Sequence, residues 1–252
     1  MKSIVIRFLP REKLMLPTDH FDVLQGLIYT GLLSFDPGYA AAIHNKTRDG
    51  KAAKKLFCFS GLQDLQARGR IDETKKTVTF DGPCALEIRA ADDRFIDIIE
   101  ARLRRKPGFL LNNWPCRVTE TETAARRFFG ERMAFRMSTP ITEYRTEFQP
   151  EKKRTIYYSP EEPEFYDRVE KNLKDKYREV FQTEYTGALS FERLRKDSEV
   201  CKTAFDGFSI TGYYGTYQLT GAPDILAVAY YCGLGAKSSQ GFGMISPDML
   251  VG

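Results

Sequence analysis

One order of hydrophobic patterns runs twice through this chain, and it limits the fold more than any single motif does. In the first half, residues 2–9 alternate, with Ile4, Ile6 and Phe8 on one face, which predicts a strand. Pro10 and Pro17 bracket what reads as a polar connection. Phe21, Leu24, Leu27, Ile28 and Leu32 then recur at helical spacing, so 19–33 reads as an amphipathic helix that Thr18 or Asp19 can cap. Asp36-Pro37 opens a short second helix that runs to His44. Leu56 to Phe59 is a short apolar strand. Thr77 to Phe80 and Cys84 to Ile88 flank Asp81-Gly82 as a hairpin or two strands. Asp92 or Asp93 caps a helix carrying Phe95, Ile96, Ile99 and Leu103. Its end holds Arg102, Arg104, Arg105 and Lys106, which suits the negative pole of the helix dipole. Residues 108–120 read as a further strand or hairpin.

The second half repeats the order. Residues 132–148 alternate as one long strand, and Thr155 to Tyr158 forms another. Ser159-Pro160-Glu161-Glu162-Pro163 turns into a helix over 163–181, with Phe165, Val169, Leu173, Tyr177, Val180 and Phe181 at spacings of three or four. Residues 200–219 are rich in Phe, Tyr, Ile and Thr and read as strands. Ala222 to Tyr231 is a short helix, and Phe242 to Ile245 a last strand. Strand, helix, strand, strand, helix, strand is the order of the ferredoxin-like fold shared by RNA-recognition modules. The expectation is therefore an α+β protein of two tandem ferredoxin-like domains, residues 1–125 and 126–252, each of ordinary domain size.

Composition narrows the function. With 42% hydrophobic and 29% charged residues the chain is globular, not disordered. Its net charge of +4 permits a nucleic-acid partner and excludes a polybasic histone-like protein or an acidic tail. No apolar run approaches a membrane span, and the N-terminal apolar stretch is broken by Arg7, so it reads as a strand and not a signal peptide. The five cysteines are scattered without Cys-x-x-Cys spacing, which argues against zinc and a disulfide framework and fits a cytoplasmic protein.

Two segments carry candidate chemistry. Gly233-Leu234-Gly235-Ala236-Lys237-Ser238-Ser239-Gln240-Gly241-Phe242-Gly243 is glycine-rich, and exposed amides in such a segment can cradle phosphate. It fails as a Walker loop because Ala236 precedes Lys237-Ser238. It fails as a dinucleotide fingerprint because it follows a helix and has Ser238 where the third glycine belongs. Alone it is a tight helix-to-strand turn. The second segment, 45–55, is basic and unpatterned and reads as a mobile loop, in which Lys46, Arg48, Lys51, Lys54 and Lys55 crowd beside His44 with only Asp49 opposing. The chain's histidines are His20 and His44. By itself His44 is a surface residue at a helix C-terminus, and Tyr29 a core-edge aromatic with a wetted hydroxyl.

The glycine-rich segment resembles the C-terminal signature of the CRISPR-associated repeat-processing endoribonucleases, within the repeat-associated mysterious protein superfamily. Three more stretches are similar to that family in the right order: Leu24-Gln25-Gly26-Leu27-Ile28-Tyr29, Ser138-Thr139-Pro140-Ile141, and Pro163-Glu164-Phe165-Tyr166 through Tyr177. The resemblance spans nearly the whole chain. It implies cleavage of CRISPR repeat RNA without metal or cofactor, the ribose 2′-OH being the nucleophile, to give a 2′,3′-cyclic phosphate and a 5′-OH. It further implies Tyr29, His44 and Lys55 as catalytic residues, with Lys51 or Lys54 as alternatives for the lysine. Histidine suits proton exchange because its ordinary pKa lies near neutrality. Lys51, Lys54, Arg102, Arg105, Lys237, Ser238 and Ser239 are candidate RNA contacts, as are Arg126-Arg127. Gly233, Gly235, Gly241 and Gly243 shape the loop. The partner expected is CRISPR repeat RNA, held by a monomer or homodimer. Rival expectations are a repeat-RNA-binding protein that does not cut and a subunit of an RNA-guided effector complex.

Overall fold

The computed structural model describes residues 1–44, 47–48, 51–52, 54–66, 69–149 and 152–247; at 44, 47–48, 51–52, 148–149 and 152–153 it describes the backbone alone. The first half contains β1 (Lys2–Pro10), α1 (Phe21–Phe35), α2 (Pro37–His44), β2 (Phe57–Phe59), β3 (Cys84–Ala90), α3 (Asp93–Arg105), β4 (Gly108–Leu111) and β5 (Trp114–Ala124). Its antiparallel sheet has the order β4-β5-β1-β3-β2. The alternation of β1 does what it predicts, burying Ile4, Ile6 and Phe8 against Leu24, Ile28 and Leu32 of α1 and Phe95, Ile96, Ile99 and Leu103 of α3. The Asp92 side chain caps α3 by accepting from the Arg94 amide.

The second half contains β6 (Arg132–Met137), α4 (Pro163–Phe181), β7 (Ser190–Arg193), β8 (Thr216–Thr220), α5 (Pro223–Cys232) and β9 (Ile245–Ser246), in the sheet order β7-β8-β6-β9. In both sheets the first strand lies between the third and fourth of the repeated pattern. The protein is thus a tandem ferredoxin-like α+β fold, each half with its own apolar cluster. Each fully buried Leu, Ile or Phe in those clusters contributes about 1.5–3 kcal/mol.

Several expectations are corrected in detail. Residues 132–148 are not one strand: β6 stops at Met137. Pro140 has no amide to offer a ladder, and the Ser138 amide bonds Met244 O at 2.8 Å. The chain resumes at Tyr144–Gln149, which forms a hairpin with Lys152–Tyr157. The polar connection between Pro10 and Pro17 contains a strand, Leu14–Pro17, paired with Thr77–Phe80, because Leu14 and Leu16 alternate into the core. Within the basic loop, Thr47–Arg48 and Lys51–Ala52 pair as a minimal hairpin. Helix α1 starts at Phe21 with His20 at its cap position and no side-chain cap; Asp19 instead accepts from Thr203 Oγ1 at 2.5 Å. The last strand is only Ile245–Ser246, and Phe242 is buried outside it. No helix among the described residues is long and apolar enough to cross a membrane.

The halves are joined around α5. Every residue from Ile225 to Cys232 is buried, so this helix is apolar all round and has protein on all sides. Its last carbonyls have no partner within the helix. They are met from the first half by Cys58, whose thiol donates to Tyr231 O at 3.6 Å, and by Arg89. The Arg89 guanidinium lies 3.7 Å from the Tyr230 ring centre, donates to Ile245 O at 2.8 Å and pairs with Glu87 at 2.6 Å. A cation there also favours the negative end of α5.

Candidate active site

The glycine-rich segment leaves the end of α5 and is braced from three sides. Gly233, Gly235, Gly241 and Gly243 all have positive φ. At Gly243 a Cβ would lie 1.9 Å from Leu234 O, and at Gly241 it would lie 2.6 Å from the Phe21 ring, so the chain passes too close for any side chain. The amides of Leu234, Ala236, Gln240, Gly241 and Gly243 all donate to protein carbonyls. The loop is therefore not an open amide cradle at those positions but a braced turn. From α1, the Gln25 amide donates to Ser239 O.

Beneath the loop, α4 places a buried lysine. The Lys176 ammonium donates to Gly233 O at 2.7 Å, Gly235 O at 2.9 Å, Ser238 Oγ at 2.5 Å and Cys232 O at 3.3 Å. Burial pulls it down from 10.5 to about 8, so it is still protonated at neutral pH. Close by, burial pushes the Glu143 carboxyl up from 4.5 to about 7, opposed by the charges of Lys176, Lys54 and Arg168. Glu143 is held through its backbone, whose carbonyl accepts from the Tyr158 amide at 2.9 Å.

Across the loop opens a polar cleft of about 520 Å³, walled by α1 (Gln25), the segment before β2 (Lys54, Lys55), α4 (Asn172, Lys176), Tyr144 and residues 235–240. The Nζ of Lys55 also reaches α1, 5.1 Å from the centre of the Tyr29 ring, which in turn packs edge-on to Phe57 at 6.1 Å. Tyr29 and Lys55 are thus brought together. The His44 side chain lies outside the described residues; the backbone places it as the last residue of α2. Its neighbour Ile43 lines a recess with Lys54, Lys55, Leu56 and Phe57, so α2 ends beside the lysine pair. The other histidine is built in differently: His20 is 2.9 Å from Pro17 O through Nδ1, lies edge-on to Phe80, and burial lowers its pKa.

The remaining candidates separate. Lys54 and Lys237 line the cleft. Lys237 lies 5.2 Å from the Tyr144 ring centre and donates to Gln240 Oε1 at 3.3 Å, and burial lowers its pKa. Ser238 and Ser239 both line the cleft, but Ser238 is buried and its hydroxyl is taken by Lys176. The side chain of Lys51 lies outside the described residues. Arg102 is spent on structure: its Nη1 donates to Gly108 O at 2.8 Å and Lys106 O at 3.2 Å, tying the end of α3 to β4. It lines a different, largely apolar cavity of about 690 Å³ with Leu27, Ile28 and Gly31 of α1. Arg105 is exposed. Arg126 pairs with Asp224, and the Arg127 amide donates to Tyr231 Oη at 2.7 Å.

Sequence reasoning missed Lys176, Asn172 and Glu143. A signal for the first two was present. Asn172 and Lys176 follow Phe165 and Val169 at seven residues each and so lie on the stripe that α4 buries. Polar residues on such a stripe require buried partners. Glu143 had no comparable signal, because the long strand expected over 132–148 hid the turn that buries it.

Fold and cleft together define the class: a tandem ferredoxin-like protein whose glycine-rich loop meets lysines of the first half. A family model described as CRISPR associated protein Cas6, C-terminal, matches residues 119–247. The CRISPR-associated endoribonuclease Cas6 1 of Methanocaldococcus jannaschii is 27% identical over 256 residues, covering 93% of this chain and 91% of that protein. The CRISPR-associated endoribonuclease Cas6 of Pyrococcus furiosus is 24% identical, covering 97% and 89%. Among solved structures, one described as an RAMP protein binding different RNA substrates superposes with a TM-score of 0.82 at 20% identity over 98% of this chain and 99% of that one. A Cas6-related protein from Pyrococcus furiosus gives 0.82 at 19% identity, covering 97% of each chain. The chain belongs to the Cas6 family of CRISPR-associated proteins.

Proposed function

We propose that this protein is an endoribonuclease that cuts precursor CRISPR RNA within its repeats by a metal-independent route. In this reading residues 1–125 carry the reacting groups and residues 126–252 the glycine-rich loop, and the two grip repeat RNA between them. The observation that carries the reading is the Lys55 ammonium over the Tyr29 ring, with α2 ending at His44 beside the same lysine segment, in a chain of this family.

The chemistry needs no enzyme nucleophile. The ribose 2′-oxygen attacks the adjacent phosphorus, its proton passes to a base, and the bond from phosphorus to the 5′-oxygen breaks as that oxygen takes up a proton. The products are a 2′,3′-cyclic phosphate and a 5′-OH. His44 exchanges the proton, since imidazole changes charge near neutral pH. Tyr29 orients the reacting group through its hydroxyl. Lys55 places positive charge at the phosphate as negative charge grows on its oxygens. Lys54, Lys51 and Lys237 attract the backbone of the RNA.

The test is labelled repeat RNA incubated in EDTA with wild-type protein and with His44→Ala. Cleavage by the wild type, a cyclic phosphate end, and loss of cutting in the variant are expected. A repeat with a 2′-deoxy sugar at the cut position is expected to bind and stay intact. A strict metal requirement rejects the chemistry, and binding without any cleavage makes the protein a repeat-RNA binder.

A further inference from the structure

The lysines that line the cleft suit an RNA backbone, but the amides there have no part in the proposed chemistry. Three carboxamides, Gln25, Asn172 and Gln240, face it. Gln25 is committed to Ser239 O, and Gln240 to Lys237. Asn172 differs. It is only 8% exposed, and its Oδ1 has no hydrogen-bond partner. A buried acceptor left unsatisfied costs about 1–3 kcal/mol, so α4 carries a group that something else should complete. The terminal torsion of asparagine is soft and nearly two-fold, so the carboxamide can turn oxygen or nitrogen toward the cleft. Beside it stand an aromatic wall, Tyr144, and the cations Lys54 and Lys237, against Asp206 as the one acidic lining residue among those described.

Lysines alone suit a phosphate. An amide offering donor and acceptor side by side, next to an aromatic ring, suits the edge and face of a nucleobase. We propose that the cleft under the glycine-rich loop is a nucleobase pocket, in which Asn172 hydrogen-bonds the edge of one unpaired base of the bound RNA. The base lies along Tyr144, exchanging the Lys237 ammonium for a stacked ring and freeing that ammonium for the neighbouring phosphate. Lys176 fixes the loop that forms the far wall. The inference rests on the reading of the protein as a repeat-RNA enzyme and adds a specificity-determining residue outside the reacting groups.

The experiment reads binding, not cleavage, in the His44→Ala background so that the RNA stays whole. A set of repeat RNAs, each with one abasic position, is titrated against that protein and against the same protein carrying Asn172→Ala or Tyr144→Leu. One position is expected at which base removal weakens binding by roughly tenfold, in the range of a single stacked base. At that position alone, the penalty is expected to shrink to about twofold or less in both cleft variants, while other positions keep theirs. Asn172→Ala lies on a buried helix face, so unfolding midpoints are measured alongside. Tyr144 is only half-buried, and its variant supplies the same readout should the first fail to fold. No base-sensitive position, or penalties unchanged in the variants, overturns the pocket while leaving repeat-RNA binding intact. Absence of repeat-RNA binding in the His44→Ala protein overturns both readings.

Discussion

Replacing Lys176 with methionine takes the ammonium from under the glycine-rich loop and leaves the volume nearly unchanged, so cavity effects are small. Three of its contacts are 2.9 Å or shorter, to Ser238 Oγ, Gly233 O and Gly235 O. Hydrogen bonds to a charged group contribute about 1.5–3 kcal/mol each, giving about 5–9 kcal/mol in all. Against this stands the cost of holding a desolvated cation. The lowered pKa shows that burial opposes the cation, so only part of that sum is net stability. The net loss is then on the order of a few kcal/mol, which for a chain of this size lowers Tm by on the order of 10 °C. Urea unfolding of wild type and variant measures the total. Amide exchange locates it: the amides of Leu234, Ala236, Gln240, Gly241 and Gly243 should exchange faster, whereas those of β1 and β3 should change only with global stability. A variant within about 0.5 kcal/mol of wild type, with loop exchange unaltered, would show that the loop holds its shape without the lysine and would refute the reasoning.

Three further outcomes are expected. Gly243→Ala places a Cβ 1.9 Å from Leu234 O at a φ of +75°, and should yield little soluble protein; Gly26→Ala, with nothing within 4 Å on a helix, should gain about 0.5–1 kcal/mol in the same melt. The carboxyl of Glu143 keeps its proton up to about pH 7 when folded, against 4.5 when unfolded. The unfolded chain therefore releases that proton first, and this contribution to stability is full below pH 4.5 and lost as pH rises through 7, at up to about 1.4 kcal/mol per pH unit. Glu143→Gln removes that slope, so the variant's advantage over wild type should grow between pH 5 and pH 7 and then level off; parallel curves would rule the titration out. Arg102→Ala should lower the unfolding midpoint, since two carbonyls lose their donor, while Arg105→Ala leaves it unchanged.

What the sequence made readable was periodic. Helix α3 follows from Phe95, Ile96, Ile99 and Leu103, and α4 from Phe165, Val169 and Leu173, because a helix that buries one face must repeat its apolar residues on that face. Strand β1 follows in the same way from Ile4, Ile6 and Phe8. What stayed hidden was set by contacts distant in sequence. Strand Leu14–Pro17 is too short for its alternation to stand out and exists because Thr77–Phe80 pairs with it. The break after Met137 was marked by Pro140, yet the apolar residues beyond it kept the appearance of one strand. The pairing of Tyr29 with Lys55 was carried by resemblance alone, since 26 positions separate them and neither sits in a pattern that names the other.

The glycine-rich segment shows why local reading stops short of the site. Taken alone it is a helix-to-strand turn, and the structure agrees that it connects α5 to β9. Its shape, however, is imposed from elsewhere. Thr142 O and Pro140 O accept its amides, Lys176 of α4 binds its carbonyls from below, and Gln25 and Phe21 of α1 close its outer side. Phe242 packs 5.4 Å from Phe21, so the loop is also a contact between the halves. With Arg89 and Cys58 holding the end of α5, the first half fixes where the loop starts and where it folds back. Lysines of the first half and the loop of the second therefore keep a set separation across the cleft. A change in α4, such as loss of Lys176, should for that reason alter the proposed binding of RNA at the cleft lined by Lys54 and Lys55, although α4 contributes none of the proposed reacting groups.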